Sequence, residues 1–206
     1  MVILEQHMSN FDIVSKFEDV VAEFYSAPYA VATDSCTHAL ELCLRYKNIK
    51  QASCPSNTYL SVPMTFVKLD LDWNFRKETW QDYYYITEQI IDAAVLWHKD
   101  SYIKDTLMCI SFQFRKHLSL GRGGVILCDD PEAAMVLKMM SYDGRIPNVP
   151  WAEQDISMLG YHYYMTPETA ELGLNKIVNA MKTPPKIWSN DDYPDLSKMK
   201  VFKNVK

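Results

Sequence analysis

The chain has 206 residues, of which 48% are hydrophobic and 23% are charged, a composition typical of a globular protein with one sizeable core. Its formal net charge of −5 argues against nucleic acid as a partner, because phosphate binding needs a clustered excess of Lys and Arg. Charges interrupt every apolar stretch before it is long enough to span a membrane, and residues 1–12 lack the pattern of a signal peptide. We therefore expect a cytoplasmic protein that binds neither membranes nor nucleic acids.

Five cysteines are scattered along the chain without a CxxC pair. They are Cys36, Cys43, Cys54, Cys109 and Cys128. Their odd number, wide spacing and apolar neighbours predict buried, reduced thiols, and no metal site is expected.

The first third of the chain contains two units in which a strand leads into a helix. A helix is predicted over residues 10–25, where apolar residues recur at helical spacing after the potential N-cap Asn10. A strand over 29–33 follows, and capping residues then start a second helix. Because a helix start presents free amide N–H groups and a positive dipole end, this turn can bind an anion. Residues 51–72 resemble a second such unit, which ends in a strand over 66–71.

The middle of the chain predicts several buried strands. The polar stretch 73–82 predicts a loop, and strands are predicted over 83–86, 107–112 and 124–128, followed by a helix over 131–142. This alternation of strands and helices predicts an α/β sheet that is covered on both faces.

The C-terminal part begins with a helix over 167–181 that has Pro167 in its first turn. The tail is polar and is expected to be irregular. Its potential docking anchors are Ile187, Trp188, Val201 and Phe202. We assign residues 1–182 to one domain and residues 183–206 to the tail.

The most specific segment is SFQFRKHLSLGRGG, residues 111–124. A buried strand ends, Lys116 follows on a short loop, and glycines turn the chain into the next strand. A lysine at a strand end can act as a Schiff-base nucleophile when it is partly desolvated, because burial lowers its pKa. The neighbours Arg115 and His117 leave a second interpretation open, in which Lys116 belongs to a solvated basic patch.

Asp92 is a second candidate, since it closes an apolar stretch in the segment IIDAA. A carboxylate at the edge of a sheet among small apolar residues needs a cationic or hydrogen-bonding partner, such as a protonated pyridine nitrogen. A helix N-cap fits Asp92 equally well, because AAVLW can begin a helix. The preceding aromatic run from Trp80 to Tyr85 indicates a half-buried strand and not a ligand site.

Five segments, in this order, have counterparts in one protein family. They are TDSCTHAL, PSNTYLSVP, IIDAA, SFQFRKHLSLGRGG and GYHYYMTPETAELGL. They are similar to a phosphate turn SGTxAL, a P-x-x-T-aromatic motif, an E-D-A-A motif, the motif S-F-x-x-x-K-x-L-x-x-G-x-G-G and the motif G-Y-N-Y-R-M-T. In this combination the chain resembles the DegT/StrS family of sugar aminotransferases, which use pyridoxal 5′-phosphate (PLP), from about Phe17 to Leu174.

The resemblance implies catalytic roles for two residues. Lys116 matches the lysine that holds PLP as a Schiff base and later shuttles the proton. Asp92 matches the aspartate that keeps the pyridine nitrogen protonated, so that the ring can act as an electron sink. Tyr59 matches the aromatic residue that stacks on the cofactor ring.

The resemblance also implies how the cofactor phosphate is bound. Cys36 and Thr37 match the turn whose amides and hydroxyl hold the phosphate, and Ser111 matches a second phosphate-binding hydroxyl. His162 falls where the family has an asparagine that reaches the phosphate of the neighbouring subunit, which implies a homodimer.

The fold and reaction implied by the resemblance are those of fold type I PLP-dependent transferases. We expect a reduced large domain, a three-layer α/β sandwich with a mostly parallel central sheet. The implied enzyme moves an amino group from an amino-acid donor, plausibly glutamate, to a keto-sugar linked to a nucleotide.

Several positions depart from the family pattern. Cys36 replaces the usual glycine and raises the steric demand on the phosphate turn. Val95 stands where glutamine is frequent, Arg122 where an acidic residue is common, and Tyr164 in place of an arginine. Family members are also considerably longer, so the resemblance implies that most of their C-terminal small domain has no counterpart here.

Two alternatives to the enzyme interpretation follow from these departures. One is a truncated pseudoenzyme that binds PLP or a partner without catalysing transamination. The joint retention of Lys116, Asp92, Thr37 and Ser111 disfavours it, because a scaffold has no physical need for that set. The other is a different PLP reaction, sugar dehydration, whose known catalysts tend to lack the lysine.

Overall fold

The structure is a computed structural model that describes residues 11–203. The strands are β1 Tyr29–Thr33, β2 Gln51–Pro55, β3 Asp72–Arg76, β4 Tyr84–Thr87, β5 Ile90–Asp92, β6 Leu107–Ser111 and β7 Gly124–Cys128. The helices are α1 Asp12–Tyr25, α2 Cys36–Tyr46, α3 Ser61–Lys68, α4 Pro131–Ser141, α5 Pro167–Lys182 and α6 Lys200–Lys203. The predicted N-cap Asn10 lies outside the described residues.

Side-chain caps explain where two of the helices begin. Ser35 accepts a hydrogen bond from the His38 N–H at the start of α2. Asp130 accepts one from the Glu132 N–H at the start of α4, where Pro131 takes the first position. Each cap satisfies an amide that the first helical turn leaves without a partner.

The sheet is mixed, so the prediction of a mostly parallel sheet was wrong. Five strands lie in the order β1-β7-β6-β5-β4, and within this sheet only β5 and β6 are parallel. Two residues, Glu88 and Gln89, join β4 to β5, and a helix-free loop over 112–123 joins β6 to β7. Such connections return the chain antiparallel, because a parallel pair needs a longer crossover. The strands β2 and β3 form a separate parallel pair with α3 between them in the chain.

The three layers of the fold are confirmed by where alternate strand residues point. Met108 and Val125 face a core that includes residues of α1 and α5. Cys109 and Ile126 face the opposite core, which includes residues of α2, α3 and α4. Because successive strand side chains point to opposite faces, one buried strand serves both cores.

The second strand–helix unit was misplaced by several residues. Residues 66–68, predicted as the start of a strand, are the last turn of α3, where Val62 and Phe66 share a buried helical face. The strand β3 begins only at Asp72, and its remaining residues lie inside the region 73–82 that was predicted as a loop. Its side chains are exposed or half-buried, so its apolar alternation is weak and does not stand out in the sequence.

The five cysteines are all buried and none forms a disulfide, which confirms the prediction of reduced thiols. No helix within residues 11–203 combines the length and apolar character needed to cross a membrane.

The tail docks through some of its predicted anchors. Phe202 is buried against the edges of Trp73 and Phe75. Ile187 and Val201, in contrast, are 65% and 52% exposed, so these two anchors were wrong.

Candidate active site

A cavity of about 740 Å³ opens where the start of α2, the ends of β5 and β6 and the tail meet. Of the seven predicted site residues, six line it: Cys36, Thr37, Tyr59, Asp92, Ser111 and Lys116. They come from four separate sequence segments, so only the folded chain brings them together.

One end of the cavity is built to bind an anion. Cys36 and Thr37 lie in the first turn of α2, where the helix offers no acceptor to its own amides and the dipole is positive. The Thr37 Oγ1 and Ser61 Oγ atoms lie 2.8 Å apart and join the starts of α2 and α3. The buried Ser111 adds a third hydroxyl to this end.

The anion-binding turn depends on the absence of a side chain at Gly124. A Cβ atom there would lie 2.4 Å from the Cys36 amide nitrogen and 2.5 Å from the Ser35 carbonyl carbon. Rigid backbone cannot yield to such a contact. We therefore expect Gly124→Ala to lower the free energy of unfolding by about 1–3 kcal/mol and to weaken phosphate binding, as measured by urea denaturation and by PLP titration.

Gly173→Ala is the matched control for this prediction. A Cβ at Gly173 would lie 2.4 Å from the Phe17 ring, where α5 crosses α1 on the other side of the sheet. This variant should also lose stability but should keep the PLP affinity of the wild type. Equal PLP affinities for Gly124→Ala and wild type would contradict the role assigned to the turn.

Asp92 is buried at the centre of the cavity, with 5% of its surface exposed. It ends β5 and is followed by a turn, so the N-cap interpretation was wrong. One carboxylate oxygen accepts a hydrogen bond from the Ala94 N–H at 3.0 Å, and the other accepts one from the Tyr84 hydroxyl. Burial raises the pKa of Asp92, and these two hydrogen bonds oppose the rise.

The Tyr84 hydroxyl connects Asp92 to the Thr58 hydroxyl, and sequence analysis missed this chain of hydrogen bonds. The aromatic run contributes to a half-buried strand, as predicted, and two of its residues, Trp80 and Tyr84, also line the cavity. Strand alternation puts Tyr84 on the buried face, whereas Tyr85 is 40% exposed. A buried tyrosine hydroxyl needs a partner, and this was the signal available in the sequence.

Tyr84→Phe should lower the free energy of unfolding by about 1.5–3 kcal/mol, the contribution of a hydrogen bond to a charged group. The phenylalanine leaves one Asp92 oxygen without its donor. Tyr85→Phe removes a hydroxyl from the exposed face of the same strand and should change stability by less than about 0.5 kcal/mol. Equal urea midpoints for the two variants would contradict the account.

Lys116 lies on the loop after β6, and its side chain lines the cavity. Burial lowers its pKa, and the negative charge of Asp92 partly opposes the shift. The solvated-patch interpretation does not fit, because Lys116 is half-buried and burial is the main cause of its lowered pKa. The His117 Nε2 lies 2.9 Å from the carbonyl oxygen of Ala180, whereas Arg115 is exposed and also lines the cavity.

The rim of the cavity carries an aromatic ring and a charged cluster. Tyr59 is 52% exposed there. Asp34 accepts hydrogen bonds from Arg122 at 2.7 Å and contacts the His38 ring nitrogen at 2.6 Å. The His38 ring stacks on Tyr163 at 3.6 Å. His38 also lines the cavity.

His162 lies apart from the cavity of its own chain. Its side chain is 73% exposed and contacts Asp143 at 3.0 Å. The neighbouring Tyr164 packs against Phe11 and Tyr142, so this departure from the family pattern leaves the lining of the cavity unchanged.

The donor set of the cavity fits PLP. The first turn of α2 and the hydroxyls of Thr37 and Ser111 suit a phosphate. The Asp92 carboxylate suits a protonated ring nitrogen, and the Lys116 amine suits an aldehyde. The exposed ring face of Tyr59 suits a flat aromatic group.

The sequence matches the profile of the DegT/DnrJ/EryC1/StrS aminotransferase family over residues 2–95 and 102–184. A comparison with curated protein sequences finds no match.

Solved structures share the fold. AtS13 from Actinomadura melliaura has a TM-score of 0.71 and 17% identity, with 82% of this chain and 60% of that chain covered. The sugar aminotransferase CalS13 from Micromonospora echinospora has a TM-score of 0.69 and 12% identity, with coverage of 88% and 64%. Helicobacter pylori PseC, an aminotransferase involved in the biosynthesis of pseudoaminic acid, has a TM-score of 0.67 and 13% identity, with coverage of 82% and 58%.

The chain spans about 60% of the length of these solved structures. Their low identity establishes a shared fold, and the profile match over most of the chain establishes the family. The chain belongs to the DegT/DnrJ/EryC1/StrS aminotransferase family.

Proposed function

We propose that the protein is a PLP-dependent aminotransferase that moves an amino group from an amino-acid donor, plausibly glutamate, to a nucleotide-linked keto-sugar. One observation carries the proposal: Lys116, Asp92 and the first turn of α2 face one cavity. An amine, a buried carboxylate and an anion site are together the complement of PLP. The sugar aminotransferases among the similar structures support the choice of acceptor.

PLP, when bound, supplies an electron sink for the carbanion that forms at the donor carbon. Asp92 keeps a charged acceptor at the ring nitrogen, and Tyr84 holds its carboxylate in place. The amides of Cys36 and Thr37 hold the phosphate end. Tyr59 covers the ring from the rim.

The Lys116 side chain has two tasks in this proposal. Its Nζ atom would hold the cofactor covalently, and as a free amine it would take up and return the proton during the reaction. Both tasks need an unprotonated amine. The burial that lowers the pKa of Lys116 makes that form more accessible near neutral pH.

Three further assignments belong to this proposal. His162, exposed on its own chain, reaches the phosphate of a second copy in a homodimer. Residues 1–182 are assigned to the PLP-binding domain and residues 183–206 to a tail, of which residues 186–203 pack against the cavity. The protein works in the cytoplasm.

The proposal is tested by incubating the PLP-loaded protein with glutamate in the absence of an acceptor. Formation of one equivalent of 2-oxoglutarate per protein chain is the expected result. Adding nucleotide-linked keto-sugars should then make the reaction continue through many turnovers. A protein that holds PLP but converts no amino donor would favour the pseudoenzyme alternative.

A further inference from the structure

The C-terminal segment, residues 186–203, packs across the cavity and forms one of its walls. Several backbone hydrogen bonds join it to the body of the protein. In the two shortest, the Asp82 N–H donates to the Trp188 carbonyl at 2.9 Å, and the Leu196 N–H donates to the Ser56 carbonyl at 2.8 Å. Leu196 is 1% exposed, so the segment is anchored by burial as well as by hydrogen bonds. The Trp188 side chain lines the cavity.

Trp188 contacts two lysine side chains in different ways. The Lys116 Nζ lies 5.3 Å from the centroid of the indole ring, and the Lys186 Nζ lies 4.0 Å from it. Lys186 also forms an ion pair with Asp192. Within residues 11–203, no carboxylate lies within ion-pair distance of Lys116.

A contact with an aromatic ring and an ion pair with a carboxylate affect a lysine nucleophile differently. A carboxylate partner stabilises an ammonium group and so keeps its proton in place. An aromatic ring attracts the cation through its quadrupole but cannot accept the proton, and its face still packs against the methylene chain of the lysine when the amine is neutral. Because Asp192 forms its ion pair with Lys186, the C-terminal segment places an aromatic ring, and not a free carboxylate, next to Lys116.

We propose that Trp188 is a positioning residue for Lys116: its indole ring orients the amine inside the cavity without binding it as an ion pair. The inference rests on the proposed function, because it takes Lys116 as the residue that bonds to the cofactor. It makes the C-terminal segment part of the active site, since that segment carries the ring.

Two substitutions separate a ring contact from simple packing. Trp188→Phe keeps an aromatic face, whereas Trp188→Met keeps apolar bulk without one. Trp151→Phe is the matched control, because Trp151 is 69% exposed and does not line the cavity.

The first readout is the chemical shift of the Lys116 ε-CH₂ group in cofactor-free protein with ¹³C-labelled lysine, assigned through its loss in Lys116→Arg. A ring-current shift should persist in Trp188→Phe and disappear in Trp188→Met. The second readout is the rate at which added PLP becomes covalently attached. We expect this rate to fall about 2- to 30-fold in Trp188→Met and less in Trp188→Phe.

An unchanged shift and an unchanged rate in Trp188→Met would overturn the inference, as would a phenylalanine variant that behaves like the methionine variant. Failure of the proposed function looks different. In that case wild type shows the ring-current shift but attaches no PLP.

Discussion

Lys116→Ala should abolish the donor half-reaction. The variant loses both the covalent attachment of PLP and the amine that moves the proton, and the loss of the proton transfer alone is expected to cost about 10²- to 10⁴-fold in rate. The fold should remain intact, because alanine removes a buried amine without leaving a partner unpaired. Formation of 2-oxoglutarate from glutamate measures the rate, and circular dichroism monitors the fold.

Lys104→Ala is the matched control for this variant. Lys104 is exposed and does not line the cavity. It should retain the donor half-reaction. A Lys116→Ala protein with wild-type rates would show that another group performs the proton transfer.

Asp92→Asn should lower activity and raise the stability of the cofactor-free protein. Activity is expected to fall on the order of 10²- to 10³-fold, because an amide cannot hold a positive charge at the ring nitrogen. Stability should rise because no cation within residues 11–203 lies at ion-pair distance from Asp92, and burial outweighs the opposing charge of Lys116 as the cause of the raised pKa of Asp92. The buried Asp92 carboxylate therefore lowers the stability of the cofactor-free protein while it serves the proposed function.

The pH dependence of this stability gain has a defined sign. Below the unfolded-state pKa of Asp92, the carboxyl is protonated in both states and carries no penalty. As pH rises through the window between the unfolded and the raised folded pKa, the unfolded state binds fewer protons, so the wild type loses stability. The difference in free energy of unfolding between Asp92→Asn and wild type should therefore grow as pH rises through this window and persist at pH 7. A constant difference in urea denaturation from pH 3 to pH 8 would contradict it.

The two main candidate residues were predictable, because their types are unusual where they occur and because the surrounding motifs resemble those of one family. A lysine after a buried strand and an aspartate between apolar and small residues mark Lys116 and Asp92. The structure brings both to one cavity. The capped start of α2 was visible in the same way, through Ser35 and the strand before it.

The partners of these residues were not predictable in the same way. Tyr84 reaches Asp92 and Thr58 through side-chain hydrogen bonds, and Thr58 lies in another segment of the chain. Trp188 reaches Lys116 only because of the path that the tail takes. Periodicity reports which face of an element is buried and says nothing about which distant segment covers it.

Strand direction was missed for a related reason. A buried strand shows the same apolar pattern whether its neighbour runs parallel or antiparallel, so β7 was predicted correctly in position but not in pairing. The two-residue connection between β4 and β5 was the available signal.

The most direct test of the account is to locate PLP on the chain. Wild-type protein is loaded with PLP, reduced with borohydride and digested with trypsin, and the masses of the peptides are measured by mass spectrometry. The account predicts a PLP adduct on the peptide of residues 116–122, uncleaved after Lys116, and no adduct in Lys116→Ala. No adduct, or an adduct on another lysine, would contradict the assignment of Lys116 and with it the proposed function.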